Sequence, residues 1–69
     1  MIEFKLEKRE FIELNNLLKA TGLCHSGGMA KMVIADGAVQ VDGAVETRKR
    51  CKIRIGQVVE FAGESVTVV

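Results

Sequence analysis

The chain opens on a strict alternation: Ile2, Phe4 and Leu6 are apolar, and the intervening Glu3 and Lys5 are charged. A period of two puts each set on its own face of an extended segment, which predicts a short strand over residues 2–6. The period then lengthens. Phe11, Leu14, Leu17 and Leu18 form one stripe at helical spacing, predicting a helix over about residues 8–20 with Gly22 just past its end. After a connection at residues 23–25, Ser26 is a good N-cap for a second helix reaching about Ala35, and Gly37 terminates it. Met29, Ala30, Val33 and Ile34 fall on its core side, whereas Gly28, Lys31 and Ala35 share another side.

Everything after Gly37 reads as strand. Val39 and Val41 alternate with Gln40, and Asp42-Gly43 is a strong hairpin turn signal. Two registers compete. A two-residue turn puts Val45 opposite Gln40; a three-residue turn with Gly43 left-handed puts Val45 opposite Val41 and Thr47 opposite Val39. The second is preferred because it keeps one face apolar. Further strands are predicted near residues 53–55, 58–61 and 66–69, separated by Gly56 and Gly63. The expected fold class is α+β, in a single domain over residues 1–69: a short N-terminal strand, two packed helices and a small, mostly antiparallel sheet.

The octet at residues 48–55 carries the most chemistry. Read as a strand, it places Arg48, Arg50, Lys52 and Arg54 on one face, with Cys51, Ile53 and Ile55 on the other behind Lys49. Cations ~6.6 Å apart on one side suit a run of phosphates, while the opposite side packs on a core. Net charge is only +1, so the total does not announce a polyanionic partner. Its distribution does. Residues 1–47 hold five basic and seven acidic side chains, residues 48–69 five and two, and all five of those cations lie between Arg48 and Arg54. Local potential, rather than the total, steers an anion.

A second anion site is expected where the second helix opens. Its first amides lack internal partners and lie at the positive end of the dipole, and Ser26-Gly27-Gly28 leaves them unshielded, with Lys31 nearby. The alternative is that Gly27 and Gly28 merely permit a tight turn and close helix packing.

Composition removes several function classes. Two cysteines, Cys24 and Cys51, are too few for a disulfide scaffold, although one bridge is left open, and Cys51 reads as a small core residue. Cys24, His25 and Cys51 are the only soft metal ligands, and an adjacent Cys-His pair is a poor chelate for a tetrahedral ion. His25 is read as a solvated loop residue or a minor phosphate contact. No Ser, His and carboxylate set and no nucleotide-binding glycine loop is present, so no enzyme, cofactor or small-molecule substrate is expected. The acidic start does not resemble a signal peptide, and no apolar run approaches a membrane span, so a cytoplasmic setting without membrane contact is expected. Glu3, Glu7, Glu10 and Glu13 are expected to form a solvated acidic face.

The aromatic count narrows the kind of nucleic acid. Modules that read single strands stack bases on exposed aromatic rings. Phe4, Phe11 and Phe61 all fall in apolar patterns and are expected to be buried, which leaves no stacking platform unless an arginine plane substitutes. Folded RNA, met through shape, phosphate and 2′-hydroxyl contacts, is favoured. A helix-turn-helix DNA reader would need several polar side chains on its second helix, and this one offers only Ser26, Lys31 and Asp36. An adaptor docking an acidic protein on the basic strand is the other alternative.

The run Ser26-Gly27-Gly28-Met29-Ala30-Lys31, followed by Ile34, Gly37, Val39, Val41, Asp42-Gly43 and Thr47-Arg48 through Lys52, resembles the S-four-type RNA-binding domain, also called the αL motif. The domain is named for the fourth protein of the small ribosomal subunit, and the likeness covers about residues 11–61. The resemblance implies structured RNA, ribosomal or transfer, as partner, with association with the ribosome. By position, Ser26, Gly27, Gly28 and Lys31 would meet backbone phosphate, and Arg48, Lys49, Arg50, Lys52 and Arg54 would continue that surface. Two departures stand out. Met29 replaces a residue often charged in the family, and Asp42 replaces a common Asn. Asp tolerates the same left-handed turn, but Asp42 would repel a nearby phosphate. Nothing demands more than a monomer.

Overall fold

The computed structural model describes all residues from Met1 to Val69. Its elements in chain order are β1 (Ile2–Phe4), β2 (Ile12–Glu13), α1 (Leu14–Ala20), α2 (Gly27–Ala35), β3 (Val39–Val41), β4 (Ala44–Val45), β5 (Lys52–Ile53), β6 (Val58–Phe61) and β7 (Glu64–Val68). Five strands form one sheet in the order β1-β7-β6-β3-β4, and β2 pairs with β5 in a separate two-stranded ribbon. Only the β1–β7 pair is parallel. The α+β class and the mostly antiparallel sheet are as expected.

The two helices pack on each other and supply five of the thirteen residues of a single apolar cluster: Leu14, Leu17 and Leu18 from α1, Ala30 and Ile34 from α2. The large sheet contributes Val39, Val59, Val66 and Val68, and the ribbon contributes Ile12 and Ile53. Truncating one such leucine to alanine removes about 2–5 kcal/mol, a large share of what holds a domain this small. Cys24 belongs to the same cluster and Cys51 is packed against it, both as free thiols.

The helix α2 forms as its local signals require. The Ser26 hydroxyl accepts from the Met29 N–H at 3.1 Å. At the far end Gly37, with φ +78°, donates to the Ile34 carbonyl, and Ala38 donates to Val33. That pair of bonds is the Schellman arrangement, which needs a left-handed residue at Gly37.

The first helix is shorter than predicted. It starts at Leu14 because Glu7 takes a left-handed conformation (φ 61°), Arg9 turns back onto the Leu6 carbonyl, and Ile12 is drawn into the ribbon opposite Ile53. A helix begun at residue 8 would have placed Ile12 among Asn15, Asn16 and Lys19, on a polar face. Pairing with Ile53 buries it instead.

The hairpin register also differs. Gln40 faces Val45 and Val41 faces Ala44, so the turn has two residues, Asp42 (φ 51°) and Gly43 (φ 84°), both left-handed. This backbone is type I′, whose twist matches the strands it joins. Residues 44 and 45 are exposed, so no apolar face exists there to favour the three-residue alternative.

The octet is not one strand. Its alternation holds from Cys51 to Ile53, where Ile53 is fully buried, but Ile55 is 65% exposed and Arg48 to Cys51 form a turn closed by the Cys51 N–H on the Arg48 carbonyl. Two long-range bonds explain the break. The Cys51 carbonyl accepts from Leu14 N–H at 2.9 Å, and the Lys49 carbonyl from Asn15 N–H at 3.1 Å. Both donors belong to the first turn of α1, whose N-cap, Glu13, makes no side-chain cap bond. The loop caps the helix in its place.

Candidate nucleic-acid interface

Arg48, Lys49, Arg50, Lys52 and Arg54 are all exposed, the first three on a loop that α1 holds by two backbone hydrogen bonds and the last two on β5 and just beyond it. Arg48, Arg50, Cys51 and Lys52 line one open depression. The five cations are not equivalent. Glu46 grips Arg48, with Nε–Oε2 at 2.9 Å and Nη2–Oε1 at 3.0 Å, and also accepts the Arg48 backbone N–H at 2.9 Å. These hydrogen bonds lower the Glu46 carboxyl to about 2 and raise the Arg48 guanidinium above its ordinary value. No carboxylate lies within salt-bridge distance of Lys49, Arg50, Lys52 or Arg54. The Arg48 Nη2 also approaches the Cys51 sulfur at 3.7 Å, and burial together with Glu46 pushes that thiol's pKa up.

The opening of α2 is uncluttered. Ser26, Gly28 and Lys31 are exposed and Gly27 is half-exposed; His25, just before the cap, is exposed. A Cβ built on Gly27 meets nothing within 4 Å, and one on Gly28 meets only the Ser26 Oγ at 3.8 Å. Neither residue has a left-handed φ. Turn geometry and helix packing therefore require neither glycine, which removes the structural explanation for the pair.

Each group is tied to α1, the α2 opening through helix packing and the basic loop through the capping bonds, but no hydrogen bond or salt bridge joins one group to the other. Arg54 lies beyond β5, where its backbone N–H donates to Gln57 Oε1 at 2.8 Å.

Three residues have parts that sequence reasoning missed. Glu46 carries no motif signal in the sequence, yet it occupies Arg48. Asp42 was expected to repel phosphate at the hairpin tip. Its carboxylate has a structural part as well: it turns to β6, accepting from Val58 N–H at 2.9 Å and Gln57 Nε2 at 3.2 Å. Phe11 was expected in the core. It is half-buried and stands outside the apolar cluster and the residues packed on it, with Lys52 Nζ 5.0 Å and Arg54 Cζ 5.7 Å from its ring centroid. Phe4 and Phe61 are also only half-buried, but they do pack on the cluster. Sequence signals for Glu46 and Asp42 are weak, since the first depends on local side-chain geometry and the second on a distant strand. The adjacent apolar pair Phe11-Ile12 is a usable signal, because a narrow helical stripe cannot take both.

Comparison with known proteins agrees with this arrangement. The family model of the S4 domain matches residues 4–69. The chain is 59% identical to the "Putative RNA-binding protein YbcJ" of Escherichia coli (strain K12) over 69 residues, covering 100% of this chain and 99% of that protein. It is 37% identical over 54 residues to the "Probable ribosome maturation protein RlbA" of Bacillus subtilis (strain 168), covering 78% of this chain and 76% of that one. The solution structure of YbcJ from E. coli, described as revealing an αL motif involved in RNA binding, superposes with a TM-score of 0.78 at 59% identity, over 100% of this chain and 87% of that one. With residues 4–69 matched by the family model and the whole chain superposed on an αL-motif structure, the chain belongs to the S4 domain family.

Proposed function

We infer that the chain, as one unit over residues 1–69, is a non-catalytic RNA-binding module. It holds structured RNA of the ribosomal or transfer class through backbone phosphates. The contact residues in this reading are Ser26, Gly27, Gly28 and Lys31 at the α2 opening, with Arg48, Lys49, Arg50, Lys52 and Arg54 along the basic loop. One observation carries it: four exposed cations without carboxylate partners follow one another from Lys49 to Arg54, along a loop pinned to α1 and the strand β5 that continues it. Ordered point charges of this kind neutralise phosphates and release counterions, which is where most nucleic-acid affinity originates. The name of the relative YbcJ supports RNA, and that of RlbA, a probable ribosome maturation protein, supports association with the ribosome. The same reading has the protein acting in the cytoplasm as a monomer, without metal or cofactor. No helix is long and apolar enough to cross a membrane.

Crosslinking in cells followed by sequencing of bound RNA identifies the target. With that RNA, the double reversal Arg50→Glu and Lys52→Glu is expected to weaken binding and to lower the slope of log affinity against log salt by about one per lost phosphate contact. Unchanged affinity and slope would reject the assigned surface. Complexes that survive ribonuclease would instead favour a protein partner.

A further inference from the structure

The register of the small ribbon places a second kind of chemistry beside the cations. Ile12 faces Ile53 and Glu13 faces Lys52, so the next antiparallel partners are Phe11 and Arg54. Ile12 and Ile53 point into the core. Alternation then puts Phe11, Glu13, Lys52 and Arg54 on the outward face. The cation distances agree: Arg54 Cζ and Lys52 Nζ both lie within 6 Å of the Phe11 ring centroid. Glu13 faces Lys52 in register, yet no salt bridge forms between them. The outward face of the ribbon thus carries a ring outside the core, two exposed cations without carboxylate partners and one carboxylate.

We propose that this face is a stacking site for one unpaired nucleobase at the margin of a bound RNA stem. The proposal rests on the RNA-binding reading and adds the class of RNA: a helix with an unstacked nucleotide beside it. Lys52 is common to the ribbon and to the depression lined by Arg48 and Arg50, so a strand crossing the depression arrives at Phe11. Lys52 and Arg54 have no carboxylate holding them over the ring. Both can swing to phosphate oxygens and uncover it. A base then takes the ring face, and the Arg54 guanidinium plane remains available to stack on the base. Glu13 on the same face disfavours phosphate there and accepts N–H groups from a base edge.

The test uses two short RNA hairpins, one blunt and one whose single-stranded 3′ tail carries 2-aminopurine. Wild-type protein is expected to bind the tailed hairpin more tightly and to change the 2-aminopurine fluorescence by stacking. Phe11→Leu, which keeps apolar bulk, is expected to lose about tenfold in affinity for the tailed hairpin, within the range of one base on an aromatic side chain. Its affinity for the blunt hairpin should not change, and Phe11→Tyr should restore tailed binding. Equal losses on both hairpins, or none on either, would overturn the stacking site. So would wild-type protein that binds both hairpins alike with no fluorescence change, a result that needs no variant to fold. Failure of the wild type to bind either hairpin would overturn the RNA-binding reading itself, and this site with it.

Discussion

Glu46 holds Arg48 through three hydrogen bonds of 2.9 to 3.0 Å, two to the guanidinium and one to the backbone N–H, across only two positions of sequence. The bidentate grip makes Arg48 the one cation of its loop already matched by a carboxylate, and it shapes the turn leading into the pinned segment. Its role is therefore as much architectural as electrostatic.

The pair has a pH signature. The carboxyl of Glu46 falls from an ordinary 4.5 to about 2, because its ionised form accepts the Arg48 bonds. A depressed folded-state value stabilises the fold above 4.5, and that contribution fades as pH drops from 4.5 towards 2. Carboxyl-selective NMR titration should find the Glu46 midpoint near 2, and Arg48→Met should return it to the ordinary range. A midpoint near 4.5 in the unmodified protein would show that the grip does not persist in solution.

At the opening of α2, stability and binding should move in opposite directions. Gly28→Ala places a methyl in ordinary contact with Ser26 Oγ and reduces the freedom of the unfolded chain, so stability should rise by about 0.4–1 kcal/mol. The same methyl stands over the first amides of the helix, where the proposed phosphate approaches, so RNA affinity should fall. Urea unfolding and RNA titration on one preparation measure both. A variant that is more stable and binds RNA as well as before would remove Gly28 from the interface.

The hairpin turn should depend on its acid. Asp42→Ala removes the acceptor for Val58 N–H and Gln57 Nε2 and leaves a methyl side chain at a left-handed φ. A loss of about 1–2 kcal/mol is expected from urea unfolding. Asp42→Asn keeps an oxygen for Val58 N–H and tolerates the backbone, so it should cost less. Equal losses for the two variants would mean that the tether to β6 contributes little.

How much of this could be read from residue order follows the range of the forces involved. Ser26 capping Met29 and Gly37 closing α2 are contacts within five residues, and both were legible. The β3–β4 hairpin was legible as a hairpin, but its register was not, because Asp42 is tied to Val58, sixteen residues away. The start of α1 was lost for the same reason: Ile12 answers to Ile53, and the amides of Leu14 and Asn15 answer to carbonyls of a loop more than thirty residues on. At the candidate site the cations were visible as charge. Their inequality was not, since charge alone does not say that the Glu46 carboxylate meets both the guanidinium and the backbone N–H of Arg48. Phe11 shows the limit of apolar periodicity, which marks a ring as oily without saying whether it faces inward.

The bonds from Leu14 and Asn15 to the basic loop also restrict how that loop moves. Detaching it leaves the Leu14 and Asn15 amides without acceptors, so loop opening and fraying of the α1 start are coupled. An arriving polyanion meets a template already cast when the chain folded, and little ordering entropy remains to be lost on contact.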